Sequence, residues 1–530
     1  MVRTSASSAV ATPRRAIVRR AAIAIVVVVL ASRVWFIFHR AFDVDEFEHA
    51  HATWCVALGM IPYRDFFEHH TPALYYAFSP LFHGPVDRSA DIALQTLLLC
   101  RAAMLTVTIV IVAGTCRLGA MWRDSTTGAV AAVLLATSQQ FLDSMLEFRP
   151  DVPAVLATLS SVLGAAAIGR SRSPGPVAFL SGALFGIALL FTQKAVFVGP
   201  GILLSVVAWR RWATTLAWIG GVAIPIASTL AWFARHDALE AFLLANVAFN
   251  AQLNADSFST APRLIRHIAH HPALYLCGFA GVVAALRVAP TRTVPFATAI
   301  TAASLLAGAF VVGKAYDQYY ALVLPLLAVC GAGWIDDGLR ARPIWSKSRY
   351  ARHAPWIAAG SATCAFVAII RPLTLPANMV MAAFFSASAL LAAASVQWWG
   401  TRRTAASVLA LCSLAALLVG NATREFKSNR QQIADLRWVA NNTEPTDSVL
   451  SGYQSVALFR PHAWFYFFLT GPFPSDADYA SLLAQLEAGR IRPRLVVLNA
   501  TLATAPEPVL QYIHGRYRRV RGDLFERVEP

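Results

Sequence analysis

Charge is scarce in this chain, and what there is leans one way. Only 14% of its 530 residues are charged, where a soluble domain carries about a quarter, so an ordinary water-facing surface is excluded. Acidic residues number 29 against 45 Lys and Arg, for a net charge of +16. The cations fall mostly in short loops between apolar runs, as the positive-inside bias of membrane proteins requires. That placement argues against a nucleic-acid partner. Paired cysteines are missing too: of Cys55, Cys100, Cys116, Cys277, Cys330, Cys364 and Cys412, all but the first lie in or beside apolar runs. Their spacing excludes a disulfide framework and a Cys-x-x-Cys zinc site. Arg14, Arg15, Arg19 and Arg20 precede an apolar run, as in a signal peptide. No small-residue cleavage site follows, which predicts an uncleaved first span.

What is abundant is apolar sequence. The chain is 57% hydrophobic, and runs of about 18 residues or more, enough to cross a hydrocarbon core of roughly 30 Å, recur over the first 420 positions. Candidate spans are 17–38, 91–115, 126–142, 152–169, 176–193, 197–209, 214–234, 271–287, 294–312, 319–336, 354–370, 374–396 and 404–420, thirteen in all. With the N-terminus inside, Arg117, Arg123, Arg170, Arg172, Arg210, Arg211, Arg402 and Arg403 fall in inner loops. An odd number of spans preserves that alternation. The expectation is an all-α polytopic membrane protein: an inner tail 1–16, a transmembrane domain 17–423 with a first outer loop 39–90, and an outer domain 424–530. In the last, "NRQQIADLRWVANNTEPTDSVL" reads as helix, turn and strand. "DYASLLAQLEAGRI" has helical spacing and "PRLVVLNA" reads as a buried strand. A small α/β domain is therefore predicted.

On this topology the notable polar groups share the outer side. The first outer loop opens with "DVDEFEHAHATWCVALGMIPYRDFFEHHTPALYY" (43–76), which holds six acidic residues and four histidines. Outer turns carry Arg149 and Asp151, then Lys194, then Lys314, Tyr319 and Tyr320. Each has a plain alternative: Asp45 and Glu46 as solvated interface residues, Arg149 paired with Asp151 or snorkelling, and the tyrosines in an interfacial belt. Lys194 interrupts an apolar stretch, a costly placement that points to a site. Their shared side favours one anionic-ligand site, because Arg and Lys are natural partners of phosphate. His49, His51, His69 and His70 with Glu46 or Glu48 offer metal ligands, but in no closed zinc spacing. No metal or other cofactor is expected, a divalent ion being the minor alternative.

The same residues resemble the family 39-like glycosyltransferases of the GT-C fold. These include the bacterial transferases that place aminoarabinose on lipid A and the protein O-mannosyltransferases. The likeness rests on an Asp-Glu pair after the first span, "GMIPYRD" around Tyr63, "HHTPALYY", "FRPD", "GIALLFTQKAVFVGP" and "YDQYYALVLPLLAV". What it implies is a GT-C membrane domain with about 13 transmembrane helices and a small extracytoplasmic domain. The chain would lie in a bacterial inner membrane with its active site facing the periplasm or exterior. The implied reaction moves a sugar from a polyprenyl-phosphate carrier to an acceptor hydroxyl on a lipid, glycan or protein, with inversion. By resemblance Asp45 is the catalytic acid group with Glu46 its neighbour, and Lys194 stands near the lipid phosphate. Many bacterial members have Lys-Pro-Pro where this chain has His70-Thr71-Pro72; histidine brings charge there only when protonated. General-base chemistry assigns Asp45 to the acceptor proton. Arg149, Lys194, His70, Lys314 and Tyr320 are the candidates for the leaving phosphate.

Three other classes compete. A transporter or flippase predicts ionisable groups at mid-membrane and internal repeats, whereas here they sit at one rim without a repeat. An O-antigen ligase or polymerase would place its chemistry in a late outer loop rather than the first. A non-catalytic assembly protein would tolerate loss of Asp45, Arg149 and Lys194 together.

Overall fold

A computed structural model describes residues 13–209, 211–250, 260–311, 317–340, 427–469 and 474–528. The helices of the N-terminal part are α1 (Pro13–His39), α2 (Val44–Ala57), α3 (Ala73–Phe78), α4 (Ala90–Trp122), α5 (Ser125–Ala136), α6 (Gln139–Ser144), α7 (Asp151–Ala167) and α8 (Pro174–Phe191). They continue with α9 (Gly199–Val207), α10 (Trp212–Arg235), α11 (Leu239–Leu243), α12 (Thr260–His270), α13 (Pro272–Val288), α14 (Val294–Val311) and α15 (Leu324–Arg340).

Six of these, α1, α4, α7, α8, α10 and α14, are long and apolar enough to cross a membrane, and a seventh is reached if α12 and α13 count as one bent span. This is an integral, multi-pass membrane protein. Expected spans 354–370, 374–396 and 404–420 lie outside the described residues. Among the described residues the other differences have a geometric cause. At about 1.5 Å per residue, the 12 residues of α5 and the 9 of α9 fall well short of about 30 Å. The run 126–142 is broken where Ser138 caps α6 through the Phe141 amide. α15, of 17 residues, is enclosed within the bundle: Leu324, Leu327, Ala328, Val329 and Cys330 are inaccessible to solvent.

Small residues set the helix approach. A Cβ on Gly182 of α8 would run into the Trp218 carbonyl, and one on Gly221 of α10 into the Phe179 carbonyl. This is the close backbone packing that small residues permit in membranes. By contrast α1 exposes Ile23, Val27, Val28, Trp35 and Phe38, a surface suited to lipid. At one end of the bundle Arg15 pairs with Asp124 at 2.7 Å, and Arg123 with Asp336 at 3.4 Å and with Asp337. That belt joins α1, α4, α5 and α15. The loop of α2 and α3 lies at the opposite end.

The C-terminal domain contains α16 (Arg430–Asn442), α17 (Asp476–Glu487) and α18 (Glu507–Arg516). Its strands are β1 (Val449–Ser451), β2 (Leu495–Val497), β3 (Tyr517–Arg521) and β4 (Leu524–Arg527), in the order β1-β2-β4-β3. β1 and β2 are parallel, with Val449 opposite Leu495, and the β3–β4 hairpin adds antiparallel to β2. The domain seats on the α1–α4 connection. The Ala41 amide donates to Lys427 at 2.8 Å, Gln432 exchanges two hydrogen bonds with the Phe42 backbone, and Arg460 donates to the Asp87 carbonyl at 2.6 Å.

Candidate functional site

The site is built where α1 hands over to α2. Asp43 caps α2, accepting from the Asp45 amide, while Glu46 reaches back to the Asp43 amide at 2.9 Å to complete a capping box. Arg101, 1% exposed on α4, grips Glu46 with two bonds of 2.8 and 2.6 Å. Its remaining donors reach the carbonyls of Ile37, Arg40 and Ala41. One guanidinium thus satisfies carbonyls at the end of α1 and in the connection after it, and fixes the start of α2. Glu46, itself 1% exposed, has its carboxylate spent on these partners, so it positions α2 rather than facing a substrate.

Asp45, on the first turn of the same helix, is left partly open with its side chain 28% exposed. It is ion-paired with Arg149, which also reaches Asp43 at 3.5 Å and Glu147 at 3.2 Å. Glu147 in turn pairs with Arg40; burial pushes its carboxyl up to about 8, with Arg40 pulling the other way. Two residues beyond Arg149, Asp151 opens α7 and binds Lys194 Nζ at 3.1 Å. Lys194 also lies 4.6 Å from the centre of the Tyr319 ring. The three-residue turn Arg149-Pro150-Asp151 therefore couples Asp45 on one side to Lys194 on the other.

Beside this pair, the loop before α3 folds inward. Tyr63, in the left-handed region at φ 71°, is buried among Phe233 and Phe242 and donates to the His70 carbonyl at 2.6 Å. The His69 carbonyl accepts from Gln193 at 2.8 Å and Asn250 at 2.9 Å. Glu68 takes three bonds on one oxygen, from the amides of His69 and His70 and from His70 Nδ1, all between 2.8 and 2.9 Å. Glu48, buried on α2, faces the same ring nitrogen at 3.5 Å. Burial opposes charge on His70, but the two carboxylates outweigh it and raise its pKa to about 10. Burial, which raises Glu48 to about 7, is offset at Glu68 by His70, which holds that carboxyl well below the usual range. Ligand atoms of Glu48, Glu68, His69 and His70 all lie within 4.8 Å of one another. A divalent cation and the His70 proton would compete for them.

A family model described as Dolichyl-phosphate-mannose-protein mannosyltransferase matches residues 91–233, from α4 to α10. ArnT from Cupriavidus metallidurans, in a crystal structure bound to undecaprenyl phosphate, superposes with a TM-score of 0.58 at 15% identity. The match covers 92% of this chain and 94% of that one. Its apo crystal structure gives the same TM-score at 16% identity, over 92% and 95% of the two chains. The fold is GT-C. A looser likeness, TM-score 0.49 at 12% identity, reaches the oligosaccharyltransferase AglB from Archaeoglobus fulgidus over 90% of this chain and 69% of that one. No curated protein matches the sequence.

Within this GT-C chain, the structure brings Asp45, Arg149, Asp151, Lys194 and Tyr319 together, with His70 and Tyr63 in the adjoining loop. Tyr320, next to Tyr319, is 1% exposed with its ring against His267. Lys314 lies outside the described residues. The sequence reading passed over Arg101, Glu147 and Arg40. A lone arginine inside the apolar run 91–115 was the available signal for Arg101, since such a charge at membrane depth requires a partner.

Proposed function

We propose that this chain transfers a sugar from a polyprenyl-phosphate carrier to an acceptor hydroxyl, with inversion, at the bundle end that carries α2 and the C-terminal domain. The observation that carries the reading is the pairing of Asp45 and Lys194 through the Arg149–Asp151 turn. A partly open carboxylate and an ammonium group on adjacent supports are what a hydroxyl nucleophile and a phosphate leaving group need. Likeness to an ArnT structure bound to undecaprenyl phosphate supports the choice of carrier, as does the mannosyltransferase family model.

In this mechanism the acceptor oxygen attacks the anomeric carbon while Asp45 takes its proton. The bond from that carbon to the phosphate oxygen breaks, and the electron pair leaves with the phosphate. Lys194 neutralises the developing charge. Arg149 pairs with Asp45 and aims it, and the Glu46–Arg101 clamp keeps α2 in register. The protonated His70 is balanced by Glu48 and Glu68, so its charge fastens the adjoining loop beside this wall. Deprotonating a hydroxyl beside a leaving lipid monophosphate places no demand on a metal. The orientation we infer puts this face outside the cytoplasm, in a bacterial inner membrane.

The test separates binding from chemistry. Undecaprenyl phosphate titrated into the detergent-purified protein should quench tryptophan fluorescence. Lys194→Ala should weaken that binding by about 10- to 100-fold, the loss of one charge-assisted contact. Asp45→Asn should bind within about threefold of the wild type yet transfer no sugar. Unchanged binding by Lys194→Ala would remove Lys194 from the phosphate site.

A further inference from the structure

A second cluster of donor atoms lies on another face of α2. His51 and Cys55 stand four residues apart, hence on one side of the helix, and His462 approaches them from the loop after β1. His51 is inaccessible, Cys55 is 1% exposed and His462 is half-buried. The distances are 3.0 Å from His51 Nε2 to His462 Nδ1, 3.5 Å from His51 Nε2 to Cys55 Sγ, and 3.9 Å from Cys55 Sγ to His462 Nδ1. Zinc bound to imidazole nitrogen at about 2.05 Å and thiolate at about 2.3 Å has tetrahedral edges of about 3.3 and 3.6 Å. The three observed edges, 3.0, 3.5 and 3.9 Å, lie within about 0.3 Å of those values.

The protons on His51 are also settled. Its Nδ1 lies 2.6 Å from the Leu458 carbonyl, which can only accept. Nδ1 therefore carries the hydrogen, and the Nε2 lone pair points into the cluster. A carbonyl fixing one ring nitrogen so that the other can ligate is the usual outer support of a metal-bound histidine. His462 is held just as firmly by its backbone, since the Val449 amide donates to Pro461 at 2.8 Å and the Ala463 amide donates to Val449 at 2.8 Å. Phe467 lies 4.6 Å from the His51 ring and 5.7 Å from His462, keeping that side apolar. Gln454, inaccessible to solvent, brings its amide to 3.5 Å from His51 Nε2.

We propose that His51, Cys55 and His462 bind one zinc ion that fastens the C-terminal domain to the helix bearing Asp45. The fourth position falls to a water molecule. Loading removes the Cys55 thiol proton to solvent and involves no redox step. The site is structural, distinct from the Glu48–Glu68–His70 cluster, and stands whether or not the chain transfers sugar.

The experiment uses the full-length protein, purified in detergent with a histidine-free tag and without chelator. Elemental analysis should find about one zinc per chain. Cys55→Ser and His462→Ala should each lose it, whereas Glu68→Gln should keep it. Because the Cys55 position is tightly enclosed, the wild type itself gives a second reading. Stripped with a chelator and reloaded with Co²⁺, it should show a thiolate-to-cobalt absorption band in the near ultraviolet. Stripping should also speed proteolytic release of the C-terminal domain, and zinc should reverse that. Wild-type protein with neither zinc nor a cobalt band would overturn the proposal. So would full zinc retention in both Cys55→Ser and His462→Ala.

Discussion

At the scale of single residues, the account turns on which charges are spent and which are left available. Glu46 and Asp45 are neighbours, yet Glu46 is consumed by Arg101 and the capping box while Asp45 keeps an open edge. Arg101→Ala should strand Glu46 as a buried carboxylate without its cation and free the carbonyls of Ile37, Arg40 and Ala41. Losing one partner of a buried pair costs about 3–5 kcal/mol, so thermal unfolding in detergent should show a large drop in Tm. A drop no larger than that of an exposed-pair control such as Arg437→Ala, whose bridge to Asp91 is solvent-exposed, would contradict the clamp. Asp45, Arg149 and Lys194 were legible because ionisable groups beside apolar runs stand out in a sequence. The partners that decide their roles were not. Glu46 and Arg101 are 55 positions apart, and no local pattern links a helix start to a span that follows it.

At the scale of elements, the loop before α3 is an electrostatic device. The charge on His70, which the sequence alone made conditional, is supplied by Glu48 from α2 and Glu68 from the loop itself. Because the folded pKa of His70 is raised from 6.5 to about 10, its contribution to stability is complete below pH 6.5 and is lost as pH climbs to about 10. Glu48, raised from 4.5 to about 7, acts in the same direction between those values. Glu68, depressed below 4.5, contributes above 4.5 and loses that contribution only as pH falls further. Burial lowers the pKa of His49, His51, His69 and His462, which act the other way below pH 6.5. The decline in Tm is therefore expected from pH 6.5 to 10, and His70→Asn should flatten it. A His70→Asn profile parallel to the wild type would refute the charged histidine. The helix pairs make a second case. Gly182→Val should cost roughly 1–3 kcal/mol or more by forcing α8 from α10, seen as a lowered Tm, while Gly175→Val, with open space around it, should change little. Helical spacing and the apolar β2 run made α16, α17, β1 and β2 readable. The β3–β4 hairpin escaped because "YRRVRGDLFER" carries too many charges to resemble a buried strand.

At the scale of the molecule, a membrane bundle presents one end on which a helix–loop–helix segment and an α/β domain meet. Composition made the bundle legible, since apolar length alone marks a span. Among the described residues, α5 and α9 are apolar yet shorter than a full span, which apolar runs in the sequence did not distinguish. The account's central claim is that this end of the molecule transfers a lipid-carried sugar with Asp45 as base. Mass spectrometry of cell-envelope lipids and glycans tests it most directly, comparing cells with the wild-type chain, without it, and with Asp45→Asn. The account predicts that one sugar substituent disappears without the chain while its polyprenyl-phosphate donor accumulates. Wild type should restore the substituent, and Asp45→Asn, present at equal level in the membrane, should restore less than about 1% of it, in line with the loss of a general base. An unchanged envelope profile without the chain, or full restoration by Asp45→Asn, would contradict it.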